Sequence, residues 1–253
     1  MASGSSPLVV IVPGACGRVS GFDKIIPHLN GLETVPGVYP SCNPSNLNAT
    51  CLGDTSELRR TLLYLLGYER DLVILAHSYG AAVASGAAKR LDKTSRLAEG
   101  HSTSVIGLIF IAGNLPNPGE SLYQAVGLDW PAYIIPNRPS DGLMSVEPAM
   151  EILFNDCDPD LQLERSVFPH VLHALETGAS PPAWKDRGFN GRRTYIRTVD
   201  DRCIPAALQD FFISRSSVEW DVVNFQSGHM PFVSQPAALA AHIVRFVDRV
   251  TSL

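Results

Sequence analysis

Asp71 to Arg90 reads DLVILAHSYGAAVASGAAKR. Its opening run, Leu72-Val73-Ile74-Leu75, is apolar at every position, the pattern of a strand buried on both faces of a parallel sheet. The chain then turns through Ala76-His77-Ser78-Tyr79-Gly80 into Ala81, Ala82, Val83 and Ala84, with Ala87 and Ala88 beyond. Such small residues suit a helix lying close against a sheet. Strand, sharp turn and helix form the setting of a nucleophile elbow, G-x-S-x-G, which lifts a serine above a helix N-terminus. Ala76 stands at the first glycine position, a departure of one methyl group. Ser78 is the candidate nucleophile. A serine in an ordinary strand-to-helix loop is the plainer alternative, and the elements on either side weigh against it.

Working outward, Leu8–Val12 (LVVIV) is expected as the first buried strand, ending in Pro13-Gly14-Ala15-Cys16-Gly17. Helical spacing follows over Gly21–Leu29, then a short strand at Val35–Tyr39. A helix capped by Asp54 or Thr55 is expected to carry Leu58, Leu62, Leu63, Leu65 and Leu66 inward. Further strands are expected at Ser104–Ala112, Arg193–Val199 and Val218–Phe225, with helices at Pro205–Arg215 and Pro236–Val250. Between them, 114–190 holds ten of the nineteen prolines and no strong strand signal, with helical patterns at 147–154 and 162–175. The expected architecture is α/β: a doubly wound sheet of about six parallel strands (residues 1–113 and 191–253) with an inserted, mostly helical cap (114–190).

Ligands of such sheets gather beyond the carboxyl ends of the strands. Ser78, Ala15, Asp200, Asp201 and His229 all fall just after strands. A serine hydroxyl needs a base, and His229 follows the last strand in a Gly/Pro-marked loop. The base needs a carboxylate to fix its tautomer. Asp201 is preferred to Asp200 for the short Asp-x-x-x-Pro loop it opens. The amides of Ala15 and Tyr79 are the candidate oxyanion donors. Cys16 has no basic neighbour to make it a thiolate and is read as pocket lining, and His77 as a packing or hydrogen-bonding residue of the site. Trp130, Tyr133, Leu153, Phe154 and Phe168 are candidate pocket walls from the cap. His170 and His173 have no third ligand at metal spacing, so neither a metal nor another cofactor is expected.

The whole chain supports this class. Its 253 residues are 45% hydrophobic and 18% charged, which suits one sizeable core. A formal charge of −5 provides no basic footprint for nucleic acid. No apolar run approaches the roughly 20 residues that span a bilayer. MASGSSP lacks the features of a signal peptide, which leads to an expectation of cytoplasmic location, free thiols and a monomer or homodimer. Cys42 and Cys51 bracket an Asn-rich loop, and their pairing stays open.

Together, VIVPGAC, AHSYG, LFNDCDP, DDRCIP and SGHMPF resemble the α/β-hydrolase superfamily along nearly the whole chain. Within it, they are most similar to the branch of plant methyl-ester esterases and hydroxynitrile lyases with their microbial and fungal homologues. Pro13-Gly14 stands where that branch usually has His-Gly. The resemblance implies the order Ser78, Asp201, His229 as a triad. Hydroxynitrile lyases of this kind carry a lysine directly after the histidine. Met230 occupies that place here, as in the esterases, and is assigned to the pocket. The expected function is a serine hydrolase cleaving a small, largely apolar ester or lactone. The alternatives are a lyase or cyclase on the same scaffold, or a small-molecule receptor with residual hydrolysis.

Overall fold

The computed structural model describes residues 6–253, so the reading of the first five residues lies outside it. Six parallel strands form the main sheet in the order β2-β1-β3-β4-β8-β9. They are β1 (Leu8–Val12), β2 (Thr34–Pro36), β3 (Leu72–His77), β4 (Val105–Ile111), β8 (Arg193–Thr198) and β9 (Asp221–Phe225). Every residue of β1, β3 and β4 is buried, as uninterrupted apolar runs require when helices cover both faces. β1 pairs with β2 on one side and β3 on the other. The strand order therefore reverses between β1 and β3, and their carboxyl ends part to leave a crevice. Ala15 and Ser78 stand on its two lips.

Several boundaries differ from expectation for local reasons. The helix after the Asn-rich loop begins at Cys51, capped by the Thr50 side chain accepting from Gly53 N–H at 3.0 Å. Leu58, Leu62 and Leu66 are buried on it, whereas Leu63 is exposed, and Asp54 does not cap it. Its buried carboxylate instead accepts from Ser41 and from Tyr79 Oη. Val19–His28 is a 3-10 helix with Phe22 and Ile25 buried, and Pro27 lies inside it. β9 starts three residues late because Ser217, left-handed at φ 57°, ends the helix Ala206–Ser216.

The 114–190 segment holds four helices of four or five residues and a feature its sequence did not announce. β5 (Ile134–Pro136), β6 (Leu143–Val146) and β7 (His170–Val171) form a second, antiparallel sheet. β7 interrupts the helix expected over 162–175, leaving Leu161–Arg165 and Leu172–Glu176. Pro169, which has no N–H to donate, sits at that break. The segment is tied to the main sheet through Phe168 N–H on Cys16 O (2.9 Å), Asn155 Nδ2 on Asp200 O (2.9 Å) and the Arg215–Glu120 ion pair (2.7 Å). All five cysteines are free thiols, Cys42 and Cys51 included. No helix among the described residues is long and apolar enough to cross a membrane.

Candidate active site

Ser78 sits between β3 and the helix Tyr79–Ala87 with φ 51° and ψ −126°. L-residues rarely adopt that conformation, which costs about 1–3 kcal/mol unless its surroundings impose it. Three backbone bonds do so: Ser78 N–H donates to Ile111 O (3.0 Å), and Ser78 O accepts from Ala81 N–H (3.0 Å) and Asn114 N–H (3.1 Å). Glycine is required on both sides of the turn. A Cβ on Gly80 would lie 2.2 Å from Pro13 O, and one on Gly14 would lie 2.9 Å from Ser78 Cβ. At Ala76 the methyl is accommodated and fully buried.

His229 and Asp201 come together at the far side of the crevice. His229 Nδ1 meets Asp201 Oδ2 at 2.8 Å, with both side chains buried. The carboxylate is held by three further donors: Thr198 Oγ1 at 2.7 Å on Oδ2, and the amides of Cys203 and Ile204 at 2.8 Å each on Oδ1. Gln209, fully buried, fastens this loop by donating to Thr198 O, Thr198 Oγ1 and Ile204 O. Asp200 is exposed and bonds through its backbone, its carbonyl accepting from Asn155 and its N–H donating to Ser227 O at 3.0 Å. Burial alone would lower the His229 pKa, but the Asp201 carboxylate outweighs it and holds the imidazole well above the ordinary histidine range.

With Nδ1 on Asp201, Nε2 of His229 is left for the cavity that Ser78 also lines. Among the described residues no hydrogen bond joins Ser78 Oγ to His229 Nε2. Such contacts commonly tighten only when substrate is bound. Ala15 and Tyr79 line the same cavity. Tyr79 opens its helix, so its amide has no partner within that helix. Ala15 stands in the turn closed by Gly17 N–H on Gly14 O (3.2 Å).

That cavity encloses about 70 Å³, room for on the order of five waters. Cys16, Trp130, Tyr133 and Leu153 line it as the sequence suggested. Three others are placed elsewhere. His77, Phe154 and Met230 border a neighbouring cavity of about 310 Å³ that also contains Arg18 and Lys24. His77 Nε2 donates to His229 O at 2.9 Å, and burial pushes its pKa well below the usual value, so it acts as a neutral support for the His229 backbone. Phe168 is half-buried under the Arg18 guanidinium, 3.5 Å from the ring centre, and is not a wall of the Ser78 cavity. Burial raises the Cys16 pKa to about 12, so its thiol stays protonated, with Sγ 3.4 Å from Met144 Sδ.

Sequence reasoning missed Asn114, Met144, Cys203 and Leu208 on the cavity wall. Asn114 alone left a trace, as a polar residue directly after the Ala112-Gly113 end of a buried strand. His170 Nε2 lies 3.1 Å from Ser41 Oγ in the buried network around Asp54.

Comparison with known proteins places this geometry. The chain is 26% identical over 236 residues to the alpha/beta hydrolase nvfD of Aspergillus novofumigatus, covering 91% of this chain and 92% of that one. It is 24% identical to a pyrethroid hydrolase of Sphingobium wenxiniae, covering 95% and 87%. Among solved structures, a pyrethroid hydrolase from Sphingobium faniae superposes with a TM-score of 0.74 at 20% identity, over 98% of this chain and 99% of that one. Polyneuridine aldehyde esterase gives 0.68 at 18% identity, over 98% and 100%. The model of the alpha/beta hydrolase family matches residues 9–242. The chain belongs to the alpha/beta hydrolase family.

Proposed function

We propose that the chain is a serine hydrolase of small, largely apolar carboxylic esters or lactones. The observation that carries this reading is the buried His229–Asp201 hydrogen bond, at 2.8 Å, opening onto the same cavity as a serine held at φ 51°. In this reading Ser78 Oγ attacks the ester carbonyl and His229 Nε2 takes its proton. Asp201, fixed by its four hydrogen bonds, keeps Nδ1 protonated and stabilises the imidazolium. The amides of Ala15 and Tyr79 receive the oxyanion, and His229 returns the proton to the departing alcohol. Water, deprotonated by His229, then cleaves the acyl-enzyme and frees Ser78.

Substrate class follows from the walls. Leu122, Val126, Trp130, Ile134, Leu153 and Leu208 are apolar, and the cavity is small. A short acyl group fits it as it stands, whereas a bulky one would have to part the 122–153 wall. The relatives named as esterases and hydrolases fit the same chemistry, and Met230 after His229 supports hydrolysis over cyanohydrin cleavage. In this reading residues 114–190 act as a cap that selects the substrate.

The test is release of p-nitrophenol from acetate and butyrate esters by the wild type, Ser78→Ala and His229→Ala, with circular dichroism to check folding. Turnover that both substitutions reduce by at least three orders of magnitude is expected. Turnover that survives Ser78→Ala would remove the nucleophile. An inactive wild type would favour the lyase, cyclase or receptor readings.

A further inference from the structure

Asn114 is a polar side chain of the proposed cavity that the hydrolytic chemistry does not use. Asn114 follows β4, is 2% exposed, and lines the cavity together with Ser78 and His229. Its backbone N–H is bonded to Ser78 O at 3.1 Å, which wedges the residue against the elbow. Its Oδ1 is buried and has no hydrogen-bond partner among the described residues. Buried polar atoms are nearly always paired, so one left free at a binding cavity points to a partner that arrives with the ligand.

The protein's own groups are not available to it. Tyr133 Oη donates to Cys203 O, Tyr79 Oη to Asp54, and Tyr195 Oη to Gly113 O at 2.9 Å. Outside Ser78 and His229 the other walls are hydrocarbon apart from the Cys16 and Cys203 thiols, the Met144 thioether and the Trp130 indole, and none of these bonds Oδ1. A carboxamide carries an acceptor and a donor side by side, and a hydroxyl is the small group that can satisfy either, donating to Oδ1 or accepting from Nδ2.

We infer that Asn114 is a specificity-determining residue that hydrogen-bonds a hydroxyl on the acyl chain of the substrate, within two carbons of the scissile carbonyl. The location follows from the bond between Asn114 and Ser78, because the carbonyl under attack must sit at Ser78. The inference rests on the serine-hydrolase reading for its substrate but not for its binding step. A site built around a buried polar group discriminates sharply against the analogue that leaves it unpaired.

The test compares methyl 2-hydroxybutyrate and methyl 3-hydroxybutyrate with methyl butyrate, by pH-stat turnover on the wild type and by calorimetric binding on Ser78→Ala. At least a tenfold preference for one hydroxy ester is expected in both assays. That preference should fall to within about twofold in Asn114→Leu. Asn114→Ala serves in the same comparison if the leucine variant does not fold. Equal handling of all three esters, or a preference that survives both substitutions, overturns the inference, as does failure of Ser78→Ala to bind any of them. A binding preference without wild-type turnover would retain Asn114 as the recognition residue and discard the hydrolase reading instead.

Discussion

Gly80→Ala tests whether the elbow is built on the close approach described above. The new Cβ would lie 2.2 Å from Pro13 O, 2.9 Å from Val12 O and 3.0 Å from the Pro13 carbonyl carbon. All three are backbone atoms, so no side chain can swing aside. Relief requires the end of β1 or the start of the Tyr79 helix to retreat by about 1 Å, a displacement worth on the order of 100-fold in rate when it falls on positioning groups. Retreat of β1 also disturbs the Tyr39 Oη bond to Pro13 O at 2.7 Å and moves Ala15, two residues on. Overpacking of this kind costs about 1–3 kcal/mol, and at this chain length each kcal/mol lowers Tm by about 2–4 °C. Thermal denaturation and kcat/KM on p-nitrophenyl acetate should therefore fall together, by several degrees and about 100-fold. Gly21→Ala is the control, since its Cβ meets only Phe232 Cε2 at 3.7 Å, and it should change neither by much. A Gly80→Ala protein with wild-type Tm and kcat/KM would refute the packing argument.

Three further outcomes follow from the buried polar groups. Because Asp201 holds the His229 pKa above its usual range, the free base needed for catalysis forms only as pH rises past that raised value. The rising limb of kcat/KM should lie above the ordinary histidine value of about 6.5. Asp201→Asn should move it downward and lower the plateau by about three to four orders of magnitude; an unmoved limb would count against the pairing. The same shift has a sign for stability. A raised folded-state value means that the His229 contribution is complete below about pH 6.5 and is lost as pH rises through the folded value, and Asp201→Asn should flatten that dependence in urea titrations. Asp54→Ala leaves Ser41 N–H, Ser41 Oγ and Tyr79 Oη without this acceptor in a buried site, and should cost about 3 kcal/mol in the urea midpoint, with Asp54→Asn costing less. Equal stability of Asp54→Ala and wild type would show that the network carries no weight.

What could be read in the chain tracks how strongly each feature depends on sequence alone. Leu72–Leu75 and Leu8–Val12 are apolar at every position because their strands are covered on both faces, and that pattern survives any detail of packing. Strand ends then locate the proposed triad, Ser78 after β3, Asp201 after β8 and His229 after β9, since the chemistry of a parallel sheet collects there. Asp54 was misassigned because an acid at the start of a helical pattern looks like a cap, and its real partner, Tyr79 Oη, lies 25 residues away. β5–β7 are two to four residues long, too short for a period of two to emerge from a proline-rich tract. Among the proposed pocket aromatics, Trp130 and Tyr133 face Ser78 while Phe168 lies under Arg18. Composition cannot reveal which way a side chain turns in an irregular segment.

The bond from His77 Nε2 to His229 O has a consequence for how this protein can change over generations. His77 and Ser78 are neighbours, so one strand end carries the proposed nucleophile and also grips the backbone of the proposed base. Stacking of Phe232 on Phe22, with ring centres 4.0 Å apart, secures the same loop from behind. The approach of the proposed attacking and accepting atoms is thus set in large part by the sheet, with Asn114, Tyr133 and Asn155 of the 114–190 segment adding bonds at its edge. In the hydrolase reading proposed above, changes in that segment away from those three residues can redraw which substrates are accepted while the proposed proton-transfer geometry stays with the sheet.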